Sequence, residues 1–226
     1  MEFDPVHDLQ QAFRKAVQAF SFPGRLVDLA PHAQKLQFEL SWPPAMLVVG
    51  WMLLDTETSY ACANEAAAKI LALLTFARPK SATEAGYIFC DGRDGAFLQV
   101  LAEAPLADLV DPHASATIVA LADFGPESPS YSLTGPGIES ATTCQIGLAE
   151  GWLAQRAERN QEFPMGLDLI LIDQHNQLMA LPRTTRIASV ESRQPGIAQQ
   201  NDFQKSPAIG RQEISKRMPP ASMRGI

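Results

Sequence analysis

Hydrophobic residues recur along this chain in blocks whose spacing switches between helical and strand periods. Near the start, Val6, Leu9, Phe13, Ala16, Val17 and Phe20 fall on one face of a helix; Asp4 can cap it, Pro5 suits its first turn, and Ser21-Phe22-Pro23-Gly24 ends it. A short strand over 25–29 follows. Ser41 and the Pro43-Pro44 pair open an apolar helix over 45–54, and 58–62 reads as a strand. Asn64 is placed as an N-cap for the strong helix formers over 65–74. Strands over 86–90, 116–121 and 130–134 continue the pattern, with helices over 96–102 and 148–159. Arg156 and Arg159 stand near the C-terminal end of the last helix.

The densest signal lies between 163 and 187. Leu167 to Ile172 is continuously apolar rather than alternating, which suits a strand covered on both faces. A polar turn, Asp173-Gln174-His175-Asn176-Gln177, leads to a second apolar strand beginning at Leu178, so a hairpin is expected. Its exit, Arg183-Thr184-Thr185-Arg186, crowds two guanidinium groups and two hydroxyls into four positions. That chemistry can hold a phosphate or a carboxylate. If the chain stays extended here, Arg183 and Thr185 share one face while Thr184 and Arg186 share the other. Pro182 lacks an N–H and places this point at a strand end or edge.

Alternating helices and strands predict an α/β fold: one domain, a mixed sheet flanked by helices, and at least one antiparallel pair at the terminal hairpin. Past Ser189 the pattern stops. Pro195-Gly196, Gln199-Gln200-Asn201, Pro207, Gly210 and Pro219-Pro220 interrupt every possible element, so a folded body over 1–188 and a disordered tail over 189–226 are expected.

Charge narrows the partners. Through residue 190 the chain holds 22 Asp and Glu against 12 Lys and Arg, a net of −10, and the remainder holds 3 against 6. So acidic a body repels a polyanion, and no nucleic-acid groove is expected. The longest apolar run, 45–54, is far short of the ~20 residues of a membrane span. No basic stretch precedes an apolar run at the start, so no signal peptide and a cytoplasmic location are expected. Cys62, Cys90 and Cys144 are odd in number and widely spaced, which supports neither a disulfide framework nor a zinc knuckle.

Each candidate site has a plainer alternative. The group Arg183, Thr184, Thr185 and Arg186 marks either a ligand or subunit contact, or ordinary surface ion pairing. Gly135-Pro136-Gly137 follows a strand and either offers backbone N–H groups to an anion or merely redirects the chain; the Lys and Ser/Thr of a P-loop are lacking. Ser21 to Gly24 carries the same pair of readings, with a helix stop the plainer. Asp168 enters an apolar strand and needs a partner, Arg183 or Arg186, as a structural ion pair or as part of a polar pocket. Asp173 and His175 read as turn residues rather than metal ligands. His7, His32 and His113 are scattered, and neither a nucleophile arrangement nor a metal site is expected from them.

Phe163-Pro164-Met165-Gly166-Leu167-Asp168-Leu169-Ile170-Leu171, with Ala180-Leu181-Pro182-Arg183-Thr184-Thr185-Arg186-Ile187, resembles the C-terminal signature of PhnH, the H subunit family of bacterial carbon–phosphorus lyase. Three further segments fit in order: Ala12-Phe13-Arg14 through Gly24, Leu53-Leu54-Asp55 through Thr58, and Leu133-Thr134-Gly135-Pro136-Gly137-Ile138. The resemblance implies a fold similar to the major domain of pyridoxal-phosphate-dependent transferases, a homodimer when isolated, and association with the G, I and J subunits. It further implies a share, with the G, I and L proteins, in joining methylphosphonate to the ribose C1′ of ATP, releasing adenine and forming ribose 1-methylphosphonate 5-triphosphate. Two roles stay open: a structural subunit, or a direct contributor of phosphate-binding residues. ATP and a divalent cation belong to the assembly, and no cofactor is expected on this chain, because Lys15, Lys35, Lys69, Lys80, Lys205 and Lys216 stand in no pyridoxal motif. Many relatives carry a His-Thr pair after the helix over 65–74, where this chain has Thr75-Phe76-Ala77-Arg78-Pro79. No role attached to that histidine transfers.

Overall fold

The computed structural model describes residues 2–111 and 114–190. Of the expected tail over 189–226, residues 191–226, with Lys205 and Lys216, lie outside the described residues, as does His113. The helices are α1 (His7–Ser21), α2 (Ala30–Ala33), α3 (Ala45–Leu53), α4 (Glu65–Thr75), α5 (Ala96–Glu103) and α6 (Trp152–Arg159). The strands are β1 (Val27–Asp28), β2 (Ser59–Cys62), β3 (Arg78–Pro79), β4 (Tyr87–Asp91), β5 (Thr117–Leu121), β6 (Ser130–Thr134), β7 (Thr142–Gln145), β8 (Asp168–Ile172), β9 (Gln177–Leu181) and β10 (Arg186–Ser189).

Seven strands form a mixed sheet in the order β1-β9-β8-β5-β4-β2-β3. The run from β8 through β5, β4 and β2 to β3 is parallel, while β9 is antiparallel to both β8 and β1. The expectation of a single sheet is corrected: β10-β6-β7 form a second, three-stranded antiparallel sheet. The polar strand β7, Thr-Thr-Cys-Gln, carries no apolar alternation that would have announced it.

β8 shows why its sequence is continuously apolar. Ile170 and Ile172 enter one core with Leu47, Val48, Leu71 and Phe89. Leu169 and Leu171 enter the other with Phe97, Leu101, Leu133 and Trp152. Both faces of the large sheet are therefore covered.

Asn64 caps α4 as expected, its side chain accepting from the Ala67 N–H at 2.9 Å. Asp4 also acts as a cap, accepting from Val6 and His7 N–H groups. The apolar face expected for α1 is only partly the buried one: Ala16 is buried and Leu9 and Phe20 pack against the core, but the burial is centred elsewhere. Asp8, Ala12, Ala16 and Ala19 are buried, whereas Phe13 and Val17 are about half exposed, at 51% and 47%. α6 starts at Trp152 rather than at 148, because Gly151 sits at φ 89 and an antiparallel bridge from Gly147 to Asp123 holds the preceding chain extended. β10 runs through Ser189, one residue past the expected boundary of the body. Among the described residues no helix is long and apolar enough to cross a membrane.

Candidate functional site

The hairpin exit is built from α6 outward. Trp152 is fully buried, donates its indole N–H to the Tyr131 hydroxyl at 3.1 Å and meets that ring edge-on at 5.3 Å, which fixes α6 against β6. One turn later on the same face, Arg156 is buried too. Its guanidinium donates to the carbonyls of Thr185 at 3.2 Å, Pro182 at 2.8 Å and Leu181 at 3.4 Å. Burial pulls its pKa from 12.5 down to about 10, with Asp168 nearby acting in the opposite direction. It remains a cation at neutral pH, clamped over the backbone of the exit.

Asn160, at the end of α6, completes the clamp. Its amide donates to the carbonyls of Leu167 at 3.1 Å and Arg183 at 3.3 Å, and its oxygen accepts from the Leu167 N–H at 2.8 Å. The exit itself is a turn, with the Thr185 N–H donating to the Pro182 carbonyl at 2.9 Å. The expected alternation of an extended strand is thereby corrected; β9 ends at Leu181, and β10 starts afresh at Arg186 in the other sheet.

Asp168 pairs with Arg183. One carboxylate oxygen accepts from Arg183 Nη2 at 2.6 Å and Nε at 3.0 Å, and the other accepts from the Arg183 backbone N–H at 2.6 Å. This joins the first residue of β8 to the residue two past the end of β9, and both side chains are mostly covered. Arg186 is exposed and has no ion-pair partner among the described residues.

A cleft of about 730 Å³ opens beside this turn. Its wall includes Gly135, Arg156, Asn160, Phe163, Met165 and the whole run from Arg183 to Ile187. Arg183, Thr184, Thr185, Arg186 and Gly135 thus come together as neighbours of one cavity. Asp168 stands behind Arg183. Ser21, Gly24 and Gly137 lie elsewhere, at a junction where the end of α1 meets the turn between β6 and β7. Gly137 is at φ +82, and a Cβ there would sit 2.2 Å from the Ser21 carbonyl oxygen. Gly24 packs in the same way against Leu133 and Thr142. Asp173 and His175 form a turn, the Asp173 carboxylate accepting from the His175 and Gln177 N–H groups.

Sequence reasoning missed Arg156 and Asn160 as parts of this site. The available signal was position: Arg156 is four residues after Trp152, so the two share a face, and a core tryptophan carries the arginine inward.

Residues 2–188 match the family described as Bacterial phosphonate metabolism protein (PhnH). The chain belongs to the PhnH family. It is also 36% identical, over 180 residues, to a protein of Stutzerimonas stutzeri named "Putative C-P lyase subunit protein HtxG", the match covering 79% of this chain and 85% of that one. The PhnH match takes in every residue of the cleft and of the α1 junction. Most of the segments that carried the resemblance therefore sit at two places in the fold: the turn after β9, and the packing of Ser21 to Gly24 on the β6–β7 turn; Leu53 to Thr58 instead leads from α3 into β2.

Proposed function

We propose that this PhnH-family chain serves phosphonate breakdown as a structural subunit of a carbon–phosphorus lyase assembly. Its companions are the G, I and J subunits. With the G, I and L proteins it supports the transfer of methylphosphonate to the ribose C1′ of ATP, with loss of adenine. The family match and the relative named as a lyase subunit support the biological part of this reading.

The structural part rests on one observation. The two most enclosed arginines of the cleft are committed within the chain, Arg183 to Asp168 and Arg156 to three backbone carbonyls. A triphosphate in an anomeric displacement needs cations held ready for it, and a group that must first abandon a buried carboxylate serves that end poorly. The cleft also lies at the amino end of β8, whereas open α/β sheets bind ligands at the carboxyl ends of their strands.

Kinship in fold with pyridoxal-phosphate transferases belongs to the same reading, but the described residues of the arginine cleft do not fit that cofactor. No lysine lines the arginine cleft. Lys15 is bonded to the Asp28 carbonyl and Lys35 to the Asp8 carboxylate. No aldimine step is assigned to this chain.

The test is a reconstituted synthase assay with and without the chain, repeated with Arg183→Ala. A structural subunit predicts that the variant fails to join the assembly and that activity falls in proportion to the amount incorporated. A fully incorporated variant with abolished turnover would instead favour direct participation in catalysis.

A further inference from the structure

A second cavity, of about 480 Å³, opens at the other end of β8 from the arginine cleft. Asp173, which directly follows β8, and Phe124, from the loop after β5, stand on its wall. These two strands pair in parallel, so the cavity sits at neighbouring carboxyl ends, where open α/β sheets bind ligands. Ser130, Thr143 and Gln145 of the small sheet belong to the same wall.

Asp173 is 5% exposed, yet only half of its carboxylate is used. The N–H groups of His175 and Gln177 both donate to Oδ1, at 2.9 and 2.8 Å, and Oδ2 accepts from no donor among the described residues. A covered carboxylate with a free oxygen calls for a donor, best a charged one. The wall does not supply it. It carries neither Lys nor Arg, and Arg25, between the wall residues Gly24 and Leu26, lies instead over the Phe22 ring at 5.7 Å. Burial pushes the Cys144 thiol up from 9.0 to about 11, so this wall residue stays neutral. Asp173, His175 and Cys144 do not come together as a metal-binding group. Through residue 190 acids outnumber Lys and Arg by 22 to 12, and a concave wall in so acidic a body focuses negative potential on the cavity.

An ammonium or guanidinium group brings several N–H donors, more than one carboxylate oxygen can take. The Ser130 and Thr143 hydroxyls and the Gln145 carboxamide offer acceptors for the others, while Phe124 and Leu26 offer apolar surface to a carbon skeleton. The volume falls within the usual range for small-molecule sites. We propose that this cavity binds a small organic cation, an amine or guanidine compound, with its charged group on Asp173 and its carbon skeleton against Phe124 and Leu26. The site uses only residues of this chain, and it stands whether or not the subunit reading above holds.

The test is calorimetric titration of the full chain at low salt and about pH 8, above the ordinary titration range of an imidazole. One probe is agmatine, which carries an ammonium and a guanidinium group; the other is magnesium ion, of equal charge but without a carbon skeleton. Agmatine is expected to bind saturably and more tightly than magnesium. Asp173→Asn keeps an oxygen for the His175 and Gln177 N–H groups and removes the charge, and it is expected to weaken agmatine by at least about tenfold. Thr143→Lys places a like charge at an exposed wall position and is expected to weaken agmatine by at least about threefold, with the parent melting temperature retained. No saturable binding of agmatine, agmatine binding indifferent to Thr143→Lys or to a folded Asp173→Asn, or magnesium binding as tight as that of agmatine would each overturn the assignment.

Discussion

Removing the Asp168 carboxylate strips a mostly covered guanidinium of its counter-ion and the hairpin exit of its strongest hydrogen bonds. Asp168→Ala is therefore expected to cost about 3 kcal/mol in urea unfolding, because removing one member of a mostly covered pair costs more than the pair's net worth. Arg156→Met should cost about 1–3 kcal/mol by the same measurement, since three carbonyls lose their donor while a desolvated charge is also removed. The partnership of Asp168 with an arginine across the hairpin was legible, because a carboxylate at the head of an apolar strand demands a cation. Arg156 was not singled out: an arginine late in a helix also reads as a surface residue complementing the helix dipole, and only the tertiary position of Trp152 turns it inward. A third residue governs acid stability. Burial works against ionising Asp8, but hydrogen bonds from Lys35, His32 and the Asp4 N–H outweigh it, and its pKa is held well below 3.8. A carboxylate depressed in the folded state gives its full stabilisation above the unfolded pKa and loses it as pH falls through the native one. Stability should accordingly decline below about pH 4, and Asp8→Asn should flatten that decline in acid unfolding curves.

At the scale of elements, α1 shows where hydrophobic periodicity misleads. Of the expected stripe, Leu9, Ala16 and Phe20 meet the core, but the large residues Val6, Phe13 and Val17 do not, and the fully buried face is Ala12, Ala16 and Ala19 with Asp8. Small side chains let α1 lie close to its neighbours, and a reading weighted by hydrophobicity cannot distinguish a residue chosen for closeness from one that is merely small. Phe13→Gln should then leave the melting temperature nearly unchanged, within about 0.5 kcal/mol of stability, whereas Ala12→Leu should lower it clearly. The apolar strands β5, β8 and β9 were legible for the opposite reason: buried on both faces, they leave no polar alternation to confuse. The small sheet was only partly legible. β6 alternates in burial, but β7 carries only Cys144 as an apolar residue, and the restart of the chain at Arg186 is concealed by the unbroken look of the sequence from Leu178 to Ile187. The α1 junction makes its own demand. Gly137→Ala places a methyl group 2.2 Å from the Ser21 carbonyl at a positive φ, so a loss of about 2 kcal/mol or more is expected in thermal or urea melts.

For the whole molecule, most of the segments that carried the family resemblance prove to be joints. The hairpin exit links the two sheets by ending β9 in one and starting β10 in the other, while Gly24 and Gly137 seat the first helix on the β6–β7 turn. That concentration at joints accords with a subunit whose task is to hold a defined shape for its companions. The most direct measurement is affinity purification of the tagged, full-length chain from phosphate-starved cells, with every co-purifying protein identified and its stoichiometry determined. The account predicts recovery of the G, I and J companions in fixed ratio, and their loss with Gly137→Ala or Asp168→Ala in proportion to lost folding. Recovery of this chain alone, from cells in which those companions assemble without it, would contradict the account.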